Sequence, residues 1–416
     1  MFLYTTSTLN SKDKKWFRIF VVGCAFILTL SVANCIIHLY KYGMLFGDYR
    51  WIWIECLYTI KRIDIVEAIR DGIVIKEMGD LSLPPNSATL PWSRILGIVI
   101  HPGFLPKEWA FVYGTILYAV LAVVTIYCVA RKMCQYNVMD SRTTIIMTIT
   151  IMLMSFYWTD AVLIMNNACV VVLLLILVAI ECDKNEYVSG ILMAFAMIKP
   201  QIALLFYITL LFKRKYKTII TSALIVCGAW LFYLFWVGGN PVTQIMDVIG
   251  LSQGERPADH IWYGLMDILV RRGYSGTVSM ICSMLLGIVL TIVLTIVVLN
   301  SRYAENPFVL YSIPAFFSTV WCYKSETDLL ILSFVSLLVF FILELKGFNF
   351  RTVIFCLFYL GMFNVKVFTS FFRQIIGYDW LVGRSLDAWI RTIIFIFLVI
   401  MIAGRHIYSS NLNKKD

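Results

Sequence analysis

Apolar runs of about 20 residues recur along the whole chain, and that recurrence constrains the fold more than any other feature, because a helix of about that length crosses the hydrocarbon core of a bilayer. Runs at 16–40, 109–131, 142–158, 161–181, 218–237, 277–299, 308–323, 329–344, 352–368 and 388–405 read as spanning helices. With 60% hydrophobic and 14% charged residues over 416 positions, too little polar surface exists to cover a soluble globule of this size. The expected fold is an all-α polytopic membrane protein with about 10 spanning helices. It forms one domain over residues 1–416, since no polar stretch is long enough to build a second core.

The formal charge of +10 sits in short basic clusters between apolar runs. That distribution is a topology signal and a contact with membrane lipids, and it argues against nucleic acid as a partner. Cysteines are scattered through apolar runs without a Cys-x-x-Cys pair, and the four histidines (His38, His101, His260, His406) lack metal-ligand spacing. Reduced packing cysteines are therefore expected, with no metal and no cofactor. Lys12, Lys14, Lys15 and Arg18 precede the first apolar run, which has no small-residue cleavage site and reads as a retained helix.

Two stretches depart from simple spanning. Residues 187–212 are long enough to cross once, yet Lys199-Pro200-Gln201 breaks their centre. Proline removes a backbone donor, and a lysine at that depth is costly unless it faces a polar cavity. If the segment turns back there as a re-entrant helical hairpin, Lys213–Lys217, Lys346, Arg351 and the C-terminal basic residues all join Arg131, Lys132, Arg142 and the N-terminal cluster. The positive-inside rule favours that arrangement, with both termini cytoplasmic in the plasma membrane. Outer loops then cover 41–108, 238–276 and 369–387, together with shorter turns at 158–160 and 323–328. In the first of these, Ile65, Ile69 and Ile73 recur at helical spacing, the pattern of a helix lying in the outer interface.

The outer loops gather Asp48, Asp64, Asp160, Asp259, Glu326 and Asp328 with Lys199, Arg256, His260, Lys324, Arg373 and Arg384. An acid at a helix end can take a proton from a hydroxyl while nearby cations hold a departing phosphate. Asp48 opens the first loop, with Asp64 as its rival. Asn166 and Asn167 are adjacent amides in an apolar segment, suited to interhelical hydrogen bonds or to a ligand.

Four motifs carry a resemblance to a known family: Gly47-Asp48, the proline-rich Pro91-Trp92 to His101-Pro102-Gly103-Phe104-Leu105-Pro106, the run Gly190 to Lys199-Pro200 with Lys213-Arg214-Lys215-Tyr216, and Ser318-Thr319-Val320-Trp321. Their order resembles the polyprenyl-phosphate-mannose-dependent mannosyltransferases, glycosyltransferase family 87, within the C-type glycosyltransferase superfamily. Departures occur at Ile164-Met165-Asn166-Asn167 and at Tyr323, where the family often has Gly-Gln-x-Asn and a histidine.

The resemblance implies a C-type fold and transfer of a mannose-like hexose from a polyprenyl-phosphate sugar to a hydroxyl of a glycolipid or cell-envelope glycan. It implies Asp48 (or Asp64) as the base and Lys199, Lys324 and Arg256 on the donor phosphate. Asp160, Asn166, Asn167, His260 and Tyr323 would then contact substrate. The alternatives are a lipid-linked oligosaccharide transporter, which usually shows paired repeats where this chain has one clear break, and an O-antigen-type polymerase relying on external arginines.

Overall fold

A computed structural model describes residues 11–42, 47–71, 89–136, 139–155, 165–254, 269, 272–320, 326–364 and 389–404. The described residues are helical apart from turns and short connections, as the apolar periodicity predicts. Among the described residues, five helices are long and apolar enough to cross a membrane: Asp13–Ala33, Lys107–Cys134, Tyr216–Trp236, Gly276–Leu299 and Asp328–Lys346. Shorter apolar helices occupy the remaining expected spans, among them Ser141–Met154, Ala168–Glu181, Pro307–Phe317, Phe350–Asn364 and Trp389–Gly404.

Lipid as the surrounding solvent is written on the helix Gly276–Leu299. Val278, Ile281, Leu285, Val289, Val293 and Ile296 face outward, while Ser279, Ser283, Thr291 and Thr295 are buried. Small and hydroxylated residues inside, with branched aliphatics outside, invert the soluble pattern, because without a hydrophobic drive between helices close packing and interhelical hydrogen bonds hold a bundle together. The segment Asp328–Lys346 is buried nearly throughout and forms the centre of the bundle. Phe316 and Phe395 stack there at 4.2 Å, and Tyr359 meets Phe363 at 4.4 Å.

The elements that place the site are α1 (Ser11–Tyr42), α2 (Gly47–Ile60), α3 (Ile65–Arg70), α4 (Pro91–Ile100), α5 (Lys107–Cys134), α6 (Ser141–Met154), α7 (Ala168–Glu181), α8 (Glu186–Ala196), the short α9 (Pro200–Ala203), α10 (Phe206–Phe212), α11 (Tyr216–Trp236) and α12 (Pro241–Gly254). Residues 187–212 do turn back. Asn185 caps α8 through Tyr187 N and Val188 N, and the helix ends at Met197; Pro200 then occupies the first position of α9, where its missing N–H breaks no bond. Lys213, after α10, lies 2.8 Å from Asp183, before α8. Both feet of the hairpin therefore stand at one end of the bundle.

The basic clusters meet at that same end. Lys215 also pairs with Asp183 at 3.0 Å, Lys213 approaches Glu305 at 3.6 Å, and Arg302 approaches Glu344 at 3.7 Å. Trp16 of α1 packs on Phe350 at 5.2 Å, and Tyr136 after α5 on Phe341 at 6.0 Å. The hairpin tip points to the opposite end, where the first turn of α4 meets it.

One expectation for the first loop is corrected. The amphipathic run forms α3, but Ile65 and Ile69 are buried against Ile54, Tyr58 and Val248, so its apolar face is covered by α2 and α12 rather than by lipid. Arg70 and Asp247 close the same contact from outside at 2.7 Å. Ile73 lies outside the described residues.

Candidate functional site

The hairpin tip is held from two directions. Trp92 Nε1 and Ser93 Oγ, in the first turn of α4, donate to the Met197 carbonyl at 3.1 and 3.2 Å. That carbonyl belongs to the end of α8, where intrahelical partners run out, so α4 supplies the bonds the turn lacks. From the bundle interior, Lys199 Nζ donates to Asp328 Oδ1 at 2.5 Å and to Asn166 Oδ1 at 2.7 Å. Asp328 is buried, while 14% of the lysine side chain remains exposed. The pair buries one cation beside one anion inside the bundle, which is tolerable only because each compensates the other.

Asn166 and Asn167 occupy a strained break before α7. Met165 adopts φ +53°, a conformation rarely used by side-chain-bearing residues and concentrated at functional sites. This break starts α7 at Ala168, later than the expected span at 161. Asn166 Oδ1 also accepts from Ala168 N at 2.8 Å, so a single oxygen caps the helix and holds Lys199. Asn167 Oδ1 contacts His101 Nε2 at 2.7 Å and accepts from Tyr118 OH at 3.2 Å.

His101 ends α4 in the proline-rich re-entry. Gly103, two residues on, approaches the backbone of α2 so closely that a Cβ would lie 2.6 Å from Leu57 N. Trp53 Nε1 ties α2 to the same loop through Leu105 O at 3.1 Å. The imidazole is fully enclosed, and burial lowers its pKa to about 4, opposed by the Asn167 hydrogen bond; it is neutral at physiological pH.

Beneath the tip lies a second charged group. Glu55 accepts from Thr89 N and Thr89 Oγ1 at 2.7 and 2.8 Å, and Arg94 Nε donates to Thr89 O at 3.0 Å. Arg94 also donates to Tyr233 OH and lies 4.0 Å from Asp64. Burial raises the Glu55 pKa, with Arg94 and Thr89 acting in the opposite direction. This network braces α2, α4 and α11 against one another behind Trp92 and Ser93.

Of the residues singled out from the sequence, Lys199, Asn166 and Asn167 come together with Asp328, which the sequence placed among the outer acids without assigning it a partner. Asp64 stands apart from them: its Oδ1 caps α3 through Val66 N at 2.7 Å and faces Arg94. Asp48 lies in the first turn of α2, adjacent to Tyr49, which packs on His101 at 5.6 Å; the Asp48 side chain itself is outside the described part. Asp160, Arg256, His260, Tyr323 and Lys324 also lie outside the described residues. The sequence reading passed over Glu55, Arg94, His101 and Tyr118 as site residues. For Glu55 and Arg94 the signal was present, since each is one charge inside an apolar run.

A sequence profile of glycosyltransferase family 87 matches residues 96–322, more than half of the chain. No curated protein and no solved structure matches it.

Proposed function

The chain belongs to glycosyltransferase family 87 and is a membrane glycosyltransferase, and on that premise we propose that it moves a mannose-like hexose from a polyprenyl-phosphate donor to an acceptor hydroxyl of a glycolipid or cell-envelope glycan. The observation that carries this reading is the Lys199 tip. A cation presented at membrane depth by two half-helices, next to two asparagines and partly open, suits a phosphate that arrives attached to a lipid. Irregular backbone at such depth is tolerated where it lines a cavity.

In the proposed reaction Asp48 accepts the proton of the acceptor hydroxyl. The acceptor oxygen attacks the anomeric carbon from the face opposite the phosphate. The bond from that carbon to the phosphate oxygen breaks, and polyprenyl phosphate leaves with the electron pair. A single displacement of this kind inverts the anomeric centre. Lys199 stabilises the charge that builds on the leaving phosphate. Because Asp328 already balances Lys199, the donor needs further cations, a role assigned to Lys324 and Arg256. Asn166, Asn167, Asp160, His260 and Tyr323 are assigned to substrate contacts. Asp48 is preferred to Asp64 because the latter's Oδ1 is committed to a helix cap and lies beside Arg94. Catalysis takes place on the outer face of the plasma membrane, with both termini in the cytoplasm.

Lys199→Met tests the assignment. It removes the charge and keeps much of the stem volume, and the expected loss is about 100-fold or more in turnover of polyprenyl-phosphate mannose, the scale of deleting one preorganised charge-stabilising donor. Turnover within a few-fold of wild type contradicts the role given to Lys199.

A further inference from the structure

Asn167 makes both of its side-chain hydrogen bonds through Oδ1, to His101 and to Tyr118. Its NH2 group has no partner among the described residues. With the imidazole proton on Nε2 the amide must present its oxygen to His101, since a flip would set N–H against N–H, and Tyr118 OH donates to that same oxygen. The donors are themselves caged. His101 and Tyr118 stack at 6.1 Å, and Tyr49 packs edge-on against both, at 5.6 and 6.1 Å. Tyr49 is seated on Gly114, where a Cβ would lie 2.7 Å from its ring. The remaining imidazole nitrogen, Nδ1, is buried without a partner among the described residues. A bare lone pair there is less costly than a buried N–H, so the proton belongs on Nε2, directed at Asn167.

We infer that His101 and Tyr118 are positioning residues, which hold the Asn167 amide so that its NH2 donates to a hydroxyl of the donor sugar next to the phosphate at Lys199. The juxtaposition that supports this is one residue long. Asn166 holds the lysine through its oxygen, and Asn167, the next residue, turns its own oxygen inward and leaves its donors for a ligand. Neutral N–H donors suit sugar hydroxyls, whereas the charged lysine suits the phosphate. The inference rests on the polyprenyl-phosphate donor proposed above and adds the group that reads its sugar.

Two probes separate the parts. Full-length protein in lipid nanodiscs is titrated with polyprenyl phosphate and with polyprenyl-phosphate mannose. Wild type is expected to bind the sugar-bearing probe about three- to tenfold more tightly, the worth of one neutral hydrogen bond. His101→Leu and Tyr118→Phe should lose that increment while keeping their affinity for polyprenyl phosphate. His101→Gln, which returns an N–H near the position of Nε2, should recover it. Asn167→Asp keeps the oxygen that His101 and Tyr118 address but replaces the NH2, and should also lose the increment. Should His101→Leu fail to fold, Tyr118→Phe and Asn167→Asp decide the matter. Equal loss for both probes, an increment retained in these variants, or a wild type that binds the two probes equally overturns the inference alone. A wild type that binds neither probe overturns the proposed donor, and this inference with it.

Discussion

His101 is neutral because it is enclosed, and its enclosure has a measurable sign. The folded protein holds its pKa near 4, against an ordinary 6.5. Between those values the unfolded chain binds a proton that the folded chain does not, so this contribution is complete above pH 6.5 and declines as pH falls toward 4. The loss reaches about 3 kcal/mol over the interval, at about 1.4 kcal/mol per unit. Thermal unfolding in detergent near pH 7.5 and near pH 5 should show a drop in wild type that is much smaller in His101→Gln; identical drops would exclude the imidazole as the source. Arg94 offers a second prediction at this scale. It is buried with Tyr233 and Thr89 as partners and Asp64 at 4.0 Å, and its charge opposes the effect of burial on Glu55; Arg94→Leu leaves those polar partners unsatisfied and should cost about 1–3 kcal/mol. Adding Glu55→Gln should restore part of that loss in chemical denaturation. Purely additive effects would show that the two groups do not interact.

At the level of elements, the hairpin from α8 to α10 depends on close approach. Gly190 faces α11 so tightly that a Cβ would lie 2.6 Å from Thr221 Cβ and 2.9 Å from the Thr218 carbonyl oxygen. Gly190→Val should therefore destabilise the protein by about 1–3 kcal/mol through overpacking and weaken donor binding by displacing Lys199. A variant with wild-type stability would mean that α8 and α11 separate freely. The hairpin was legible in the sequence because Lys199-Pro200 is a local break whose consequence for topology is counted in charges. The mate of Lys199 was not, since Asp328 lies 129 positions away and no local pattern links residues at that distance. The fate of α3 was misread for a related reason. A spacing of four gives an apolar face, and says nothing of whether lipid or another helix covers it; here α2 and α12 do. Likewise Asn166 and Asn167 read as a pair of amides, while their division of labour depends on the strained Met165 turn, which no residue type in that stretch announces.

Across the whole molecule, the basic clusters at one end and the Lys199 tip at the other define a polar axis through the bundle. The proposed orientation puts the basic end in the cytoplasm. A membrane-impermeant maleimide applied to intact cells should then label Lys61→Cys at the site end and leave Lys184→Cys at the basic end unlabelled until the membrane is opened; the reverse pattern would invert the assignment. Recurring apolar runs identified the bundle, and a 60% hydrophobic content, which cannot be hidden from water, placed it in lipid. The reaction depends on which lipid-borne sugar meets the tip. The most direct measurement uses purified protein in liposomes with radiolabelled polyprenyl-phosphate mannose and a glycolipid acceptor. Wild type is expected to yield labelled glycolipid, and Asp48→Asn to bind the donor yet yield almost none. Equal product from Asp48→Asn, or product from a nucleotide sugar and none from the lipid-linked one, would contradict the account.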